Sequence, residues 1–239
     1  MTKSLRVMKF GGTSLAGADR LRGVVTLVAE ALEEERVCVV ASAMAGVTNL
    51  LMVAGEPGGW GRVAELPDRF RAIHWEVVKE LEGDLGGETA ALEAALEGLV
   101  WECARMVRGV ALLKECSSSV LASLSSLGER ASCAVLAGLL RARHLDPLVL
   151  DPRDCLRVEG DPLQARPDPA AIREHFAPLL ASEQRLFLLP GFFGGDRQGR
   201  ILSLGRGGSD FSAALAAAAL QARLLEIWTD VPGVFSADP

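Results

Sequence analysis

The run Val7-Met8-Lys9-Phe10-Gly11-Gly12-Thr13-Ser14 carries a lysine through a short apolar stretch and stops it on two glycines and two hydroxyl residues. A helical pattern follows from about Ala18 to Glu35. Strand, tight loop and helix in that order constrain the chain to an α/β architecture. Adjacent glycines let backbone N–H groups converge on an anion with no Cβ in the way, and a helix N-terminus favours negative charge. Lys9 adds a fixed positive charge at the mouth of the strand. The same residues also suit an ordinary tight turn. Neither GxxxxGK[ST] nor GxGxxG after a strand occurs, so a bound nucleotide would be held by a different scheme.

Four more apolar runs bounded by turn residues read as buried parallel strands: Val37–Ser42, Pro147–Leu150, Leu186–Pro190 and Leu224–Trp228. Helical patterns separate them. Phe70, Ile73, Val77 and Leu81 share one face, and a longer apolar stripe runs from Leu92 to Leu113 within Glu88–Lys114. With no strand between these two, residues of about 64–116 form a helical insertion. Further helices are expected at Glu129–Arg143, from the Asp168-Pro169 cap to about Leu179, and at Ser209–Ala222. Residues Gly191 to Ser203 read as a hairpin, and Gly55 to Gly61 as a loop. The alternation predicts a three-layer α/β/α sandwich around a mainly parallel sheet. Ligands in such sheets sit at the carboxyl ends of the strands, which gathers Gly11, Ser42, Gly191 and the stretch before Thr229.

Hydrophobic residues make up 49% of the 239, enough for a full core, and a net charge of −6 without a basic cluster argues against nucleic acid. The longest apolar stretch, Phe211 to Leu220, is too short to span a bilayer, and no secretory leader pattern opens the sequence. Five scattered cysteines without CxxC spacing read as reduced thiols of a cytoplasmic protein, with no metal site expected. The three histidines, His74, His144 and His175, lie far apart and read as surface or core residues.

Four segments carry the chemistry expected at that edge. Ser42 to Asn49 combines small residues, a glycine and two hydroxyls, suited to a polar ligand or to a capped turn. In Gly128-Glu129-Arg130 the acid stands at an expected helix start, where it favours the dipole or pairs with a ligand ammonium. Gly205-Arg206-Gly207-Gly208-Ser209-Asp210 sets an arginine among three glycines before a helix. Arg206 can grip a carboxylate bidentately there, and Asp210 can order a lysine. In Trp228-Thr229-Asp230 an apolar strand ends on two polar residues that can meet a ribose or base, or serve a turn.

Taken together and in this order, these segments, with Gly191-Phe192 and Asp238-Pro239, make the chain resemble the catalytic domain of aspartokinases, in the amino-acid kinase superfamily. The resemblance covers essentially the whole chain. It implies the carbamate kinase-like fold and the transfer of a phosphoryl group from ATP to the side-chain carboxylate of L-aspartate. That reaction opens lysine, threonine and methionine biosynthesis. It further implies that Lys9 contacts the transferred phosphoryl group and that Gly11, Gly12 and Ser14 contact phosphates. Ser42, Thr48 and Ser209 lie by the aspartate, Glu129 pairs with its ammonium, and Arg206 holds its α-carboxylate. Asp210 organises Lys9, Thr229 and Asp230 meet the nucleotide, and Mg²⁺ arrives with ATP, held largely by phosphate oxygens. Homodimerisation is plausible on the same ground. Family members continue past the position of Pro239, so residues 1–239 read as a catalytic domain incomplete at its C-terminus, without regulatory ACT domains. The open alternatives are a glutamate-type amino-acid kinase and a truncated, non-catalytic binding or dimerisation module.

Overall fold

A computed structural model of the chain describes residues 4–56 and 60–229. In chain order the first elements are β1 (Leu5–Phe10), α1 (Ala18–Glu34), β2 (Arg36–Ala41), α2 (Val47–Met52), α3 (Trp60–Val63), α4 (Leu66–Glu80), α5 (Glu82–Leu85), α6 (Thr89–Leu113) and α7 (Ser118–Ala142). There follow β3 (Leu148–Val149), α8 (Pro152–Cys155), β4 (Val158–Asp161), β5 (Gln164–Pro167), α9 (Pro169–Ala181), β6 (Leu186–Pro190), β7 (Phe193–Gly195), β8 (Ile201–Ser203), α10 (Gly208–Ala219) and β9 (Leu224–Trp228).

Five strands form one parallel sheet in the order β3-β6-β2-β1-β9. The two-residue alternation of its central strands divides the core. Met8, Phe10, Val37, Val39, Ala41, Leu186 and Leu188 face the layer built from α1, α2, α4, α6 and α7. Val7, Cys38, Val40, Phe187 and Leu189 face α9 and α10. The result is the expected three-layer α/β/α sandwich. The α4–α6 segment shares the first of these cores with the sheet and with α7. By length and composition α7 could cross a bilayer, yet most of it is buried inside the fold.

Local chemistry sets the ends of several elements. The Asp168 carboxylate accepts from the N–H groups of Ala170 and Ala171, both at 3.1 Å, with Pro169 opening α9. At the other end of α9 the buried Arg36 guanidinium donates to the carbonyls of Leu179, Leu180 and Gln184. Ser117 caps α7, accepting from the Val120 N–H at 3.3 Å.

The expected helix start at Glu129 is therefore wrong: α7 begins about three turns earlier, and Glu129 lies mid-helix. Gly128 is not a boundary. A Cβ there would stand 2.7 Å from the Ala43 Cβ, so the glycine lets α7 press against the β2–α2 loop. The β4–β5 hairpin was not expected from sequence, whereas the β7–β8 hairpin was. Of the Gly55–Gly61 loop, residues 57–59 lie outside the described residues, as do Asp230, Asp238 and Pro239. His74 is a core residue whose Nδ1 donates to the Phe70 carbonyl at 2.7 Å. Cys38, Cys103, Cys133 and Cys155 are buried free thiols, and burial pushes Cys38 and Cys103 up to about 12.

Candidate active site

Because the sheet is parallel, the carboxyl ends of β1, β2 and β6 open at one edge. There the loops interlock through the backbone. The Ser42 N–H donates to the Phe10 carbonyl at 3.1 Å, Gly191 to Ala41 at 2.9 Å, and Ala45 to Gly12 at 3.1 Å. Two glycines are required by this close approach. A Cβ on Gly12 would stand 2.8 Å from the Ala43 carbonyl oxygen, and one on Gly191 would stand 2.8 Å from the Ser209 Cβ. The loops enclose a cleft of about 600 Å³.

Lys9, at the end of β1, is nearly buried and reaches Asp210 in the first turn of α10, with Nζ 2.6 Å from Oδ1. Gly205 and Gly207 flank Arg206 at φ values of +79° and +71°, conformations that favour glycine. They hold Arg206 out into the cleft mouth, exposed and with no ion pair among the described residues. Phe192 also has a positive φ, +78°. Its N–H donates to the Ser212 hydroxyl at 3.0 Å, and its carbonyl accepts from Leu204 at 2.8 Å. A non-glycine residue pinned in this way at a cleft wall is a strained position supported from both sides.

Glu129 projects from the middle of α7 into the same cleft and is 3% exposed. The backbone N–H groups of Glu129 itself and of Ala43 favour the charged carboxylate, but Oε2 has no hydrogen-bond partner among the described residues. Burial raises its pKa to about 8. A buried carboxylate with one idle oxygen is costly in an empty site and suits a cationic group arriving from outside.

Of the residues singled out in the sequence, Lys9, Gly12, Ser42, Thr48, Glu129, Arg206, Ser209 and Asp210 line the cleft together. Gly11, Ser14 and Thr229 do not. The Gly11 N–H (3.0 Å) and the Ser14 hydroxyl (3.4 Å) both donate to the Trp228 carbonyl, tying the β1 loop to the end of β9 just before Thr229. The helix ends that border the cleft belong to α2 and α10 rather than to α1, which a turn and Gly17 (φ +92°) set apart from the Gly-Gly loop. The sequence reading missed Met52, Leu163, Gln164 and Ser203 in the lining. Leu163 and Gln164 come from the β4–β5 hairpin, for which Gly160-Asp161-Pro162 was an available turn signal. No group of three His, Cys, Asp or Glu side chains converges among the described residues.

The chain matches the amino acid kinase family over residues 4–239. Lysine-sensitive aspartokinase 3 of Escherichia coli K12 is 35% identical over 236 residues, 98% of this chain and 50% of that protein. A bifunctional aspartokinase/homoserine dehydrogenase of Buchnera aphidicola is 29% identical over 238 residues, 98% of this chain and 29% of that protein. The crystal structure of E. coli aspartokinase III in complex with aspartate and ADP superposes with a TM-score of 0.86 at 34% identity, over 98% of this chain and 51% of that one. The chain thus spans about half the length, or less, of these relatives. The fold, the strand-edge cleft and the match over nearly the whole chain place it in the amino acid kinase family.

Proposed function

We propose that the chain is the catalytic part of a cytoplasmic aspartate kinase, transferring the γ-phosphoryl group of ATP to the side-chain carboxylate of L-aspartate. One observation carries the reading: the Lys9–Asp210 pair, the partly unpartnered Glu129 carboxylate and the unpaired Arg206 guanidinium open into a single cleft. Glu129 and Arg206 are suited to opposite ends of an amino-acid zwitterion. Ser42, Thr48 and Ser209 line the same cleft as small hydroxyl donors. The attacking carboxylate is already ionised at neutral pH, so the reaction needs no general base. It needs alignment and the offset of negative charge between that carboxylate and the γ-phosphate. Lys9, steadied by Asp210, supplies that charge. The Gly11–Ser14 loop, with Thr229 and Asp230, is the proposed nucleotide side. Mg²⁺ belongs to the nucleotide substrate, bound by its phosphate oxygens, and adds charge neutralisation.

The test is a coupled ADP-release assay of the 239-residue chain with Mg²⁺ and millimolar ATP. The expected result is ADP release dependent on aspartate and much weaker with glutamate or N-acetylglutamate. No aspartate-dependent release, together with no calorimetric binding of Mg·ATP, would favour a non-catalytic module instead.

A further inference from the structure

The β4–β5 hairpin contributes its tip to the wall of the cleft. Val158 and Ala165 of its strands join Leu202 and Leu204 in a small separate core, while Leu163 at its tip packs against the large core that holds α2 and α7. Two hydrogen bonds fix the tip. The Pro162 carbonyl accepts from the Ser203 N–H at 2.7 Å, and the Leu163 N–H donates to the Asp161 carboxylate at 2.8 Å. The tip lies against the residue preceding Arg206: a Cβ on Gly205 would stand 3.5 Å from the Leu163 carbonyl oxygen and 3.7 Å from the Gln164 Cγ. Leu163 and Gln164 both line the cleft.

We infer that this tip is the wall that sets the length of the amino-acid substrate, with Leu163 as the specificity-determining side chain. The inference rests on the aspartate-kinase reading. A substrate gripped by Glu129 and Arg206 must place its side-chain carboxylate at Lys9. Glutamate, one methylene longer, reaches the same point only if its α-carbon end retreats toward the hairpin. Leu163, anchored against a packed core, blocks that retreat. Gln164 continues the wall with a neutral side chain next to Gly205. A hydrophobic wall discriminates one methylene by about 10–200-fold in kcat/KM.

The experiment measures kcat/KM for aspartate and for glutamate in the full chain and in Leu163→Ala, Leu163→Met and Gln164→Ala, with thermal melts alongside. Leu163→Ala is expected to lower the aspartate-to-glutamate ratio at least tenfold, and Leu163→Met is expected to restore most of it. A purely structural role would depress both substrates together and leave the ratio unmoved. A ratio within twofold of the parent in Leu163→Ala and Gln164→Ala, in proteins that still melt cooperatively, overturns the inference alone. A parent chain that neither turns over nor binds aspartate overturns the underlying reading, and this inference with it.

Discussion

The Lys9 ammonium lies 2.6 Å from Oδ1 of Asp210, so the first strand and the first turn of α10 meet through a charge pair at the heart of the cleft. Lys9 is held with its side chain 10% exposed, whereas Asp210 is 54% exposed. The lysine is the fixed partner, and the aspartate is the solvent-facing one. Replacing Lys9 by methionine keeps the apolar stem and removes the charge. Lys9→Met is expected to lose about 10²–10³-fold in kcat while its melting temperature stays close to the parent's. Full activity in that variant would remove Lys9 from its proposed role.

Glu129 makes ligand binding pH-dependent in a definite direction. With its pKa raised to about 8 by burial, the carboxyl carries a proton in the empty site at neutral pH. A substrate ammonium favours the charged form, so binding expels that proton and aspartate affinity climbs as pH rises toward 8. Calorimetry at neutral pH in buffers of different ionisation enthalpy should detect the released proton, and Glu129→Gln should abolish the release. The sign for stability follows from the same shift. A carboxyl raised from 4.5 in the folded state stabilises most below 4.5, and that contribution is lost as pH climbs through 8. At pH 8 and above, Glu129→Gln should therefore stabilise the empty protein, by an amount on the order of 5 kcal/mol.

Arg206 stands exposed at the cleft mouth, held out by two glycines rather than by packing. Arg206→Ala should therefore leave the melting temperature nearly unchanged and raise KM for aspartate about 10–100-fold, as expected for the loss of a charge-assisted bidentate contact. Arg206→Lys should recover little, because a point charge does not reproduce the planar fork. An unchanged aspartate dependence in Arg206→Ala would argue against the carboxylate grip.

At the opposite end of the sheet, Glu35 joins Arg223 at 2.5 Å and Arg6 at 2.6 Å, and Ser4 donates to it as well. The Arg223 contact, then that of Arg6, lowers the Glu35 pKa to about 2 against the cost of its burial. Such a carboxylate stabilises the fold above pH 4.5 and loses that contribution as pH falls toward 2. Arg223 is 56% exposed, so solvent screening reduces the value to roughly 1–2 kcal/mol. In urea unfolding, Glu35→Gln should lower the midpoint at pH 7 and converge with the parent near pH 2. Parallel curves across that range would contradict the assignment.

Period and punctuation made much of the fold legible. Strands β1, β2, β6 and β9 and helices α1, α4, α6, α9 and α10 were readable because each carries its own apolar repeat and turn residues within a few positions. The start of α7 was not, because Gly128 looks like a helix boundary in one dimension and is a packing contact in three. The β4–β5 hairpin was hidden because its strands are short and mostly exposed, with little alternation to detect. The family resemblance implies phosphate contacts for Gly11 and Ser14, and only the folded chain shows that the Gly11 N–H and the Ser14 hydroxyl also donate to the Trp228 carbonyl.

The sequence by itself determined the alternation of strands and helices, and with it a parallel sheet whose carboxyl ends share one edge. It also determined which polar residues follow those strands. Only the tertiary structure decided that Glu129 is buried with an idle oxygen, and that Leu163 of the β4–β5 hairpin lines the same cleft as Lys9 and Asp210. The physical reason is range. Periodicity and capping act over a few residues, while burial, ion pairing and the reach of a wall depend on which surfaces the packed layers bring together.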